Sequence, residues 1–262
     1  MKALHFAGDA RQRTAEVRGS RWLEHVSCWS PNDPDQLRTG DHETAVLLLH
    51  GTFDLVGGTT AWPARGARTT PFVGRPMAVF LPPHTYFRVQ NGRGEILLVA
   101  ARQPLQPAEP QGRELLGRKP LLPLAGSGKA FDPNSGEWKP AETFPTAPES
   151  LPPRRFERLA IGALTLERVF AADYKAATLA VDEVVVAAGQ SLPLRAVPGR
   201  PRCDELMLFV RSEGSAQVGA KEGTTTVRGD AAFVVPANEI DDVVVSAAAG
   251  PAYVVLAWAG KA

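Results

Sequence analysis

Residues 43–58, ETAVLLLHGTFDLVGG, and residues 205–219, ELMLFVRSEGSAQVG, decide the fold of this 262-residue chain. Each opens on an acid, runs through an apolar strand and reaches a glycine turn with a small second strand. The same sequel follows both. GRPMAVFLPPHTYFRVQN (74–91) leads into EILLVAA (95–101), and GDAAFVVPANEIDDVVV (229–245) leads into AYVVLAWAG (252–260). A hairpin, a return strand ending at a proline turn and a closing strand describe a small barrel, and two copies describe a two-barrel chain.

The texture around these repeats agrees. Short β-branched runs separated by glycine, proline and Asx turns fill residues 1–104 and 155–262, and no long segment has a helical period. Eleven of the 23 prolines fall between Pro104 and Pro153, which predicts a connecting arm over 105–154 with no strands. The expected organisation is therefore all-β: a barrel over 1–104, a proline-rich arm over 105–154 that packs on the barrels, and a barrel over 155–262.

With 29 basic and 28 acidic residues, the net charge of +1 favours neither nucleic acid nor an anionic membrane. No apolar run has transmembrane length, and MKALHFAGDARQR lacks a secretory signal. Two distant cysteines, Cys28 and Cys203, make no disulfide framework, so a cytoplasmic protein is expected.

TGDHETAVLLLHGTFDL (39–55), VGRPMAVFLPPHTYFRV (73–89) and EILLVAARQP (95–104) resemble the N-terminal half of 5-deoxyglucuronate isomerase, an inositol-breakdown enzyme of the uronate isomerase family with a bicupin fold. AVDEVVVAAGQSLPLRAVPGRPRCDEL (180–206) and FVVPANEIDDVVVSAAAGPAYVVLAWAG (233–260) fall where that family carries its metal-binding segments. The resemblance implies a metal held by three histidines and a glutamate, serving aldose–ketose isomerisation of a uronate-like sugar acid. Carried over, the paired histidines fall on Pro201 and Cys203, the glutamate on Glu205, and the third histidine on Ile240 or Asp241. All five histidines (His5, His25, His42, His50, His84) lie in the first 84 residues, so the second barrel has no imidazole.

Two readings follow. If the family reaction persists, Glu205 and Asp241 are the acid–base carboxylates, and Cys203, Asp204, Asp242, Arg75 and His84 contact a ligand. The alternative is a non-catalytic bicupin that binds a small sugar-like ligand or acts as a regulatory or structural homo-oligomer. No metal and no other cofactor is expected in either case, the competing reading being a repurposed metal site of the Cys203 thiolate with Glu205 and Asp241. Period-2 alternation places Cys203 and Glu205 on one face. In HETAVLLLH it groups Glu43 with Ala45, Leu47 and Leu49, and His42 and His50 with Val46 and Leu48, unless a bulge intervenes. His25 is expected to be a sheet histidine alternating with Leu23 and Ser27, and His84 a turn residue at a rim. Trp22 and Trp29 are expected to pack, and the glycines around Lys129 lack phosphate-loop spacing.

Overall fold

The structure, a computed structural model, describes residues 1–31, 35–57, 60–74, 76–81, 83–102, 122–124, 129–132, 137–140, 157–170 and 178–260. The first barrel comprises β2 (Ala7–Gly8), β3 (Gln12–Glu16), β4 (Leu23–Trp29), β5 (Asp35–Arg38), β6 (His42–Gly57), β7 (Thr60–Arg68), β8 (Ala78–Leu81) and β9 (Tyr86–Arg102). Its main order is β2-β3-β4-β9-β6-β7, all antiparallel. The second comprises β13 (Glu157–Ile161), β14 (Leu164–Phe170), β15 (Leu179–Val186), β16 (Ser191–Pro193), β17 (Glu205–Ala220), β18 (Gly223–Pro236), β19 (Val244–Ala249) and β20 (Ala252–Ala259). Among the described residues no helix is long and apolar enough to cross a membrane.

Two departures from expectation concern the ends of the units. β1 (Lys2–Leu4) joins the second barrel: Lys2 pairs with Val234, Ala3 with Phe233 and Leu4 with Ala232. The proline-rich stretch holds a small sheet of β10 (Leu122–Leu124), β11 (Lys129–Asp132) and β12 (Glu137–Pro140), where no strand was expected. Proline is tolerated there because Pro123 and Pro140 both sit on outer strands, where a missing donor breaks no two-sided ladder. How this stretch packs lies outside the described residues.

The repeat recognised in sequence becomes a repeat of register. In the first barrel β9 runs between β4 and β6, so that Ala101 pairs with Leu23 and with Glu43. In the second, β20 runs between β15 and β17, and Ala259 pairs with Leu179 and with Glu205. These three-stranded units pack face to face. One face of each looks into its own barrel: Trp29, Val46, Leu48, Ile96 and Leu98 in the first, and Val184, Leu206, Leu208, Leu256 and Trp258 in the second. The other faces meet in a shared seam of Val26, Ala45, Leu47, Leu49, Leu97 and Val99 against Val181, Met207, Phe209, Val255 and Ala257. A strand with a core on both sides is apolar at every position, which is why AYVVLAWA of β20 is buried throughout.

Bulges set side-chain direction at two places that matter below. The β6–β9 register shifts between Leu48 and His50, and the β4–β9 register shifts between Leu23 and His25. Just past the first bulge the backbones of β6 and β9 nearly touch. A Cβ on Gly51 (φ 93°) would stand 1.9 Å from the Arg93 carbonyl oxygen, so only glycine fits.

Candidate functional site

The end of the second barrel, where the isomerase chemistry was expected, is built as follows. Cys203 and Asp204 precede β17, so strand alternation does not govern them. Cys203 packs against the barrel core, whereas Glu205 shares the seam face with Met207 and Phe209. The expectation that Cys203 and Glu205 face the same way is therefore corrected. Burial pushes the Cys203 thiol up to about 11, which disfavours a thiolate. Asp204 accepts the indole N–H of Trp22 at 2.6 Å. Glu205 accepts from the Ser20 hydroxyl and from the backbone N–H groups of Arg21 and Trp22 at 3.1 and 3.3 Å. Both acids thus bind a turn of the other barrel.

The remaining predicted residues are dispersed. Asp241 is exposed and paired with Arg200 at 2.6 Å. Asp242 is exposed too, beside a depression of about 310 Å³ that also meets Met1, Lys221, Glu222 and Glu239. Ile240, one of the two positions where the resemblance puts the third histidine, is 1% exposed within the core. Trp258 fills the adjoining interior, and its indole N–H donates to Asp182 at 2.8 Å. Arg168 holds the other Asp182 oxygen at 3.0 Å and the Pro198 carbonyl at 3.1 Å. Burial raises the pKa of Asp182, and the bonds from Arg168 and Trp258 oppose the rise. The metal that the family resemblance implies does not fit this chain's second barrel. Pro201 has no donor side chain, Ile240 and Trp258 occupy the interior, and Asp182, Glu205 and Asp241 are each turned to another partner.

Glu43 answers Glu205 across the seam. Its carboxylate accepts from the Thr178 amide at 3.1 Å and the Thr178 hydroxyl at 2.8 Å, at the head of β15. Each barrel lends the acid that opens its long strand to cap a turn in the other. The acid that marks the repeat in sequence is a reciprocal clamp.

Two further polar groups cross the seam. Arg68 of β7 pairs with Glu183 of β15, which also accepts the Tyr253 hydroxyl at 2.8 Å. On the other side, Arg211 bridges Asp230 and Glu95, and Arg13 reaches the same two acids at 2.6 and 3.4 Å. Cys28, Glu95 and Asp230 are the one group of three metal-capable side chains within 4.8 Å of one another among the described residues. Two guanidiniums already neutralise both carboxylates there, and burial pushes the Cys28 thiol up to about 12. The cluster is an ion-pair network between barrels.

The first barrel contains what sequence reading missed. The bulge after Leu48 turns His50 toward Glu95, 3.8 Å away, so His50 does not share the inner face with Val46 and Leu48. The bulge at Glu24 breaks the alternation of His25 with Leu23: Leu23 enters the seam, and His25 falls on the inner side with Ser27 and Trp29. His42 keeps its inner position, and the His25 and His42 rings meet edge to face with centroids 6.5 Å apart. His84 forms a left-handed turn (φ 57°), is exposed, and lies 3.5 Å from Asp41. Arg75 lies outside the described residues.

Burial first, and His42 second, hold the pKa of His25 below 6.5, while Glu24 and Glu16 pull weakly upward. The unfolded chain then binds the proton more readily. The stabilisation is complete above 6.5 and is lost as pH falls from there through the folded pKa. Urea midpoints are therefore expected to drop between about pH 7.5 and about pH 5.5, and His25→Gln to shrink the drop. An equal drop in the variant would refute this assignment.

Two antiparallel barrels joined face to face through a three-stranded seam define a bicupin. Residues 25–111 match the KduI/IolB family model, and the chain resembles that family. An IolB-like protein from Salmonella typhimurium LT2 superposes with a TM-score of 0.67 at 16% identity, over 99% of this chain and 93% of that one. AerE from Microcystis aeruginosa gives 0.55 at 8% identity, over 99% of each chain. A Bacillus subtilis oxalate decarboxylase gives 0.52 at 10% identity, over 99% of this chain and 76% of the other. At these identities the likeness is one of fold. A search of curated proteins returned no match.

Proposed function

We propose that this chain is a divergent bicupin of the sugar-isomerase-like KduI/IolB kind that has lost metal-dependent isomerisation and retains the binding of a small sugar-like ligand. The observation that carries the reading is the interior of the second barrel. Ile240 and Trp258, each 1% exposed, fill it where an ion and its imidazoles would need room. Asp182 is committed to Trp258 and Arg168, and Glu205 to the first barrel. Asp182, Glu205 and Asp241, each held by another partner, are not placed to shuttle a proton between adjacent carbons of a substrate.

The test is turnover of 5-deoxyglucuronate with added zinc, manganese, iron or nickel. No turnover is expected with any of them, while thermal shifts across a panel of uronates and inositols should pick out a ligand. Glu205→Ala should cost about 1–3 kcal/mol of stability through the orphaned donors of Ser20 and Trp22. Turnover that depends on Glu205 would overturn the reading. A flat thermal-shift panel would remove its ligand-binding half.

A further inference from the structure

The five histidines of the first 84 residues are not absorbed by the second barrel's chemistry, and two of them face each other inside the first barrel. We propose that His25 and His42, with Glu24, form a site for a divalent transition-metal cation of the imidazole-preferring kind, such as zinc or nickel. The site is separate from the family's metal position and independent of the loss of isomerase chemistry.

The placement follows from the pleat. On β4, Trp29 and Ser27 precede His25 along the inner side, and on β6, Leu48, Val46 and Thr44 lead back to His42. β9 lies between these strands: Ala100, with only a methyl group, pairs with both His25 and Thr44, while Arg102 pairs with His42 and reaches the Glu24 carboxylate. A small residue between two imidazoles leaves room for the rings to meet.

Donor chemistry points the same way. The Nδ1 of His42 lies 3.1 Å from the Thr39 carbonyl oxygen. A carbonyl only accepts, so Nδ1 carries the proton and Nε2 presents its lone pair. That is the arrangement in which a backbone carbonyl orients a metal-binding imidazole. Nε2 lies 3.8 Å from the Glu24 carboxylate. The His25 ring makes no hydrogen bond among the described residues. Two imidazoles and one carboxylate suit zinc, cobalt or nickel, with water completing the shell.

The site must close to bind. Metal–nitrogen bonds of about 2.0–2.1 Å in tetrahedral geometry put two imidazole centroids roughly 5 Å apart. The rings stand 6.5 Å apart, so His25 and His42 have to approach by about 1 Å through side-chain rotation. Glu24 occupies the bulge of β4, where the ladder is already interrupted, and Arg102 shares its carboxylate. The compact Cys28–Glu95–Asp230 group is the natural competitor for an added ion; two guanidiniums hold its carboxylates, against the single Arg102 that Glu24 has to release and the two imidazoles that group lacks.

Tag-free protein, stripped with a chelator, is titrated with zinc by calorimetry and with cobalt by its visible absorption. One ion per chain is expected, together with a rise in Tm. His25→Ala, His42→Ala and Glu24→Gln should each weaken binding at least tenfold, and Cys28→Ser should leave it unchanged. Circular dichroism checks that the variants fold, with His25→Gln and His42→Asn replacing any alanine variant that does not. The proposal is overturned by the absence of a stoichiometric ion in the folded wild type. It is also overturned by binding that any of the three substitutions leaves intact, or by binding that Cys28→Ser abolishes. None of these outcomes touches the isomerase assay, so the two readings fail separately.

Discussion

Arg211→Ala is expected to destabilise the folded chain by about 3–5 kcal/mol, because it leaves two poorly exposed acids without their main partner. Arg211 donates from Nε to Asp230 at 2.6 Å, from Nη1 to Glu95 at 2.5 Å, and from Nη2 to both acids at 2.8 and 2.9 Å. Arg13 remains, but its side chain is 37% exposed, and it lies 3.4 Å from Glu95. Lysine at position 211 should recover only part of the loss, since one ammonium cannot reproduce a fork set on two carboxylates. Burial raises the pKa of Asp230, yet Arg211 and Arg13 together outweigh it and hold the group below 3.8. The stabilisation is therefore present at neutral pH and is lost as pH falls from 3.8 through the folded value. Urea denaturation of the wild type and both variants measures all of this. A loss under about 1 kcal/mol for Arg211→Ala would show the network to be a solvated surface pairing.

Trp258→Ala is the second large effect, at about 3–5 kcal/mol for emptying a core position. It also removes the indole donor from Asp182, a residue 1% exposed whose pKa burial already raises. Trp258→Phe separates the two contributions. It keeps most of the volume and loses the hydrogen bond, so it should cost about 1–3 kcal/mol. If phenylalanine proved as costly as alanine, Asp182 and not packing would dominate the site. If it cost nothing, the Asp182–Trp258 bond would have no bearing on why the second barrel is closed.

What could be read from the sequence was periodicity, and what could not was which side of each strand is the inside. Alternation correctly grouped Glu43 with Ala45, Leu47 and Leu49. That face meets the other barrel, and nothing in the sequence says so, because both faces of β6, β9, β17 and β20 are apolar. Glu205 was read as chemistry for the same reason: an acid heading an apolar strand looks catalytic until a second barrel supplies Ser20 and Trp22 as its partners. His50 and His25 were misassigned by single-residue bulges, and a one-residue slip reverses every later side chain. That no imidazole stands at Pro201, Cys203, Ile240 or Asp241, where the resemblance would put one, was legible outright. The residues that fill the space, Trp258 above all, were not, because a tryptophan in a closing strand carries no mark of what it displaces.

The pairing of Lys2–Leu4 with Ala232–Val234 has a bearing on how the molecule assembles. The first strand in the chain has its hydrogen-bonding partner some 230 residues away in the register that joins Lys2 to Val234. During synthesis that segment has to wait, unpaired, until almost the whole second barrel has been made. The two Glu clamps impose the same order, since each is completed only when both barrels exist. The first barrel is thus expected to be unfinished when it leaves the ribosome, with an apolar flank that only its sibling can cover.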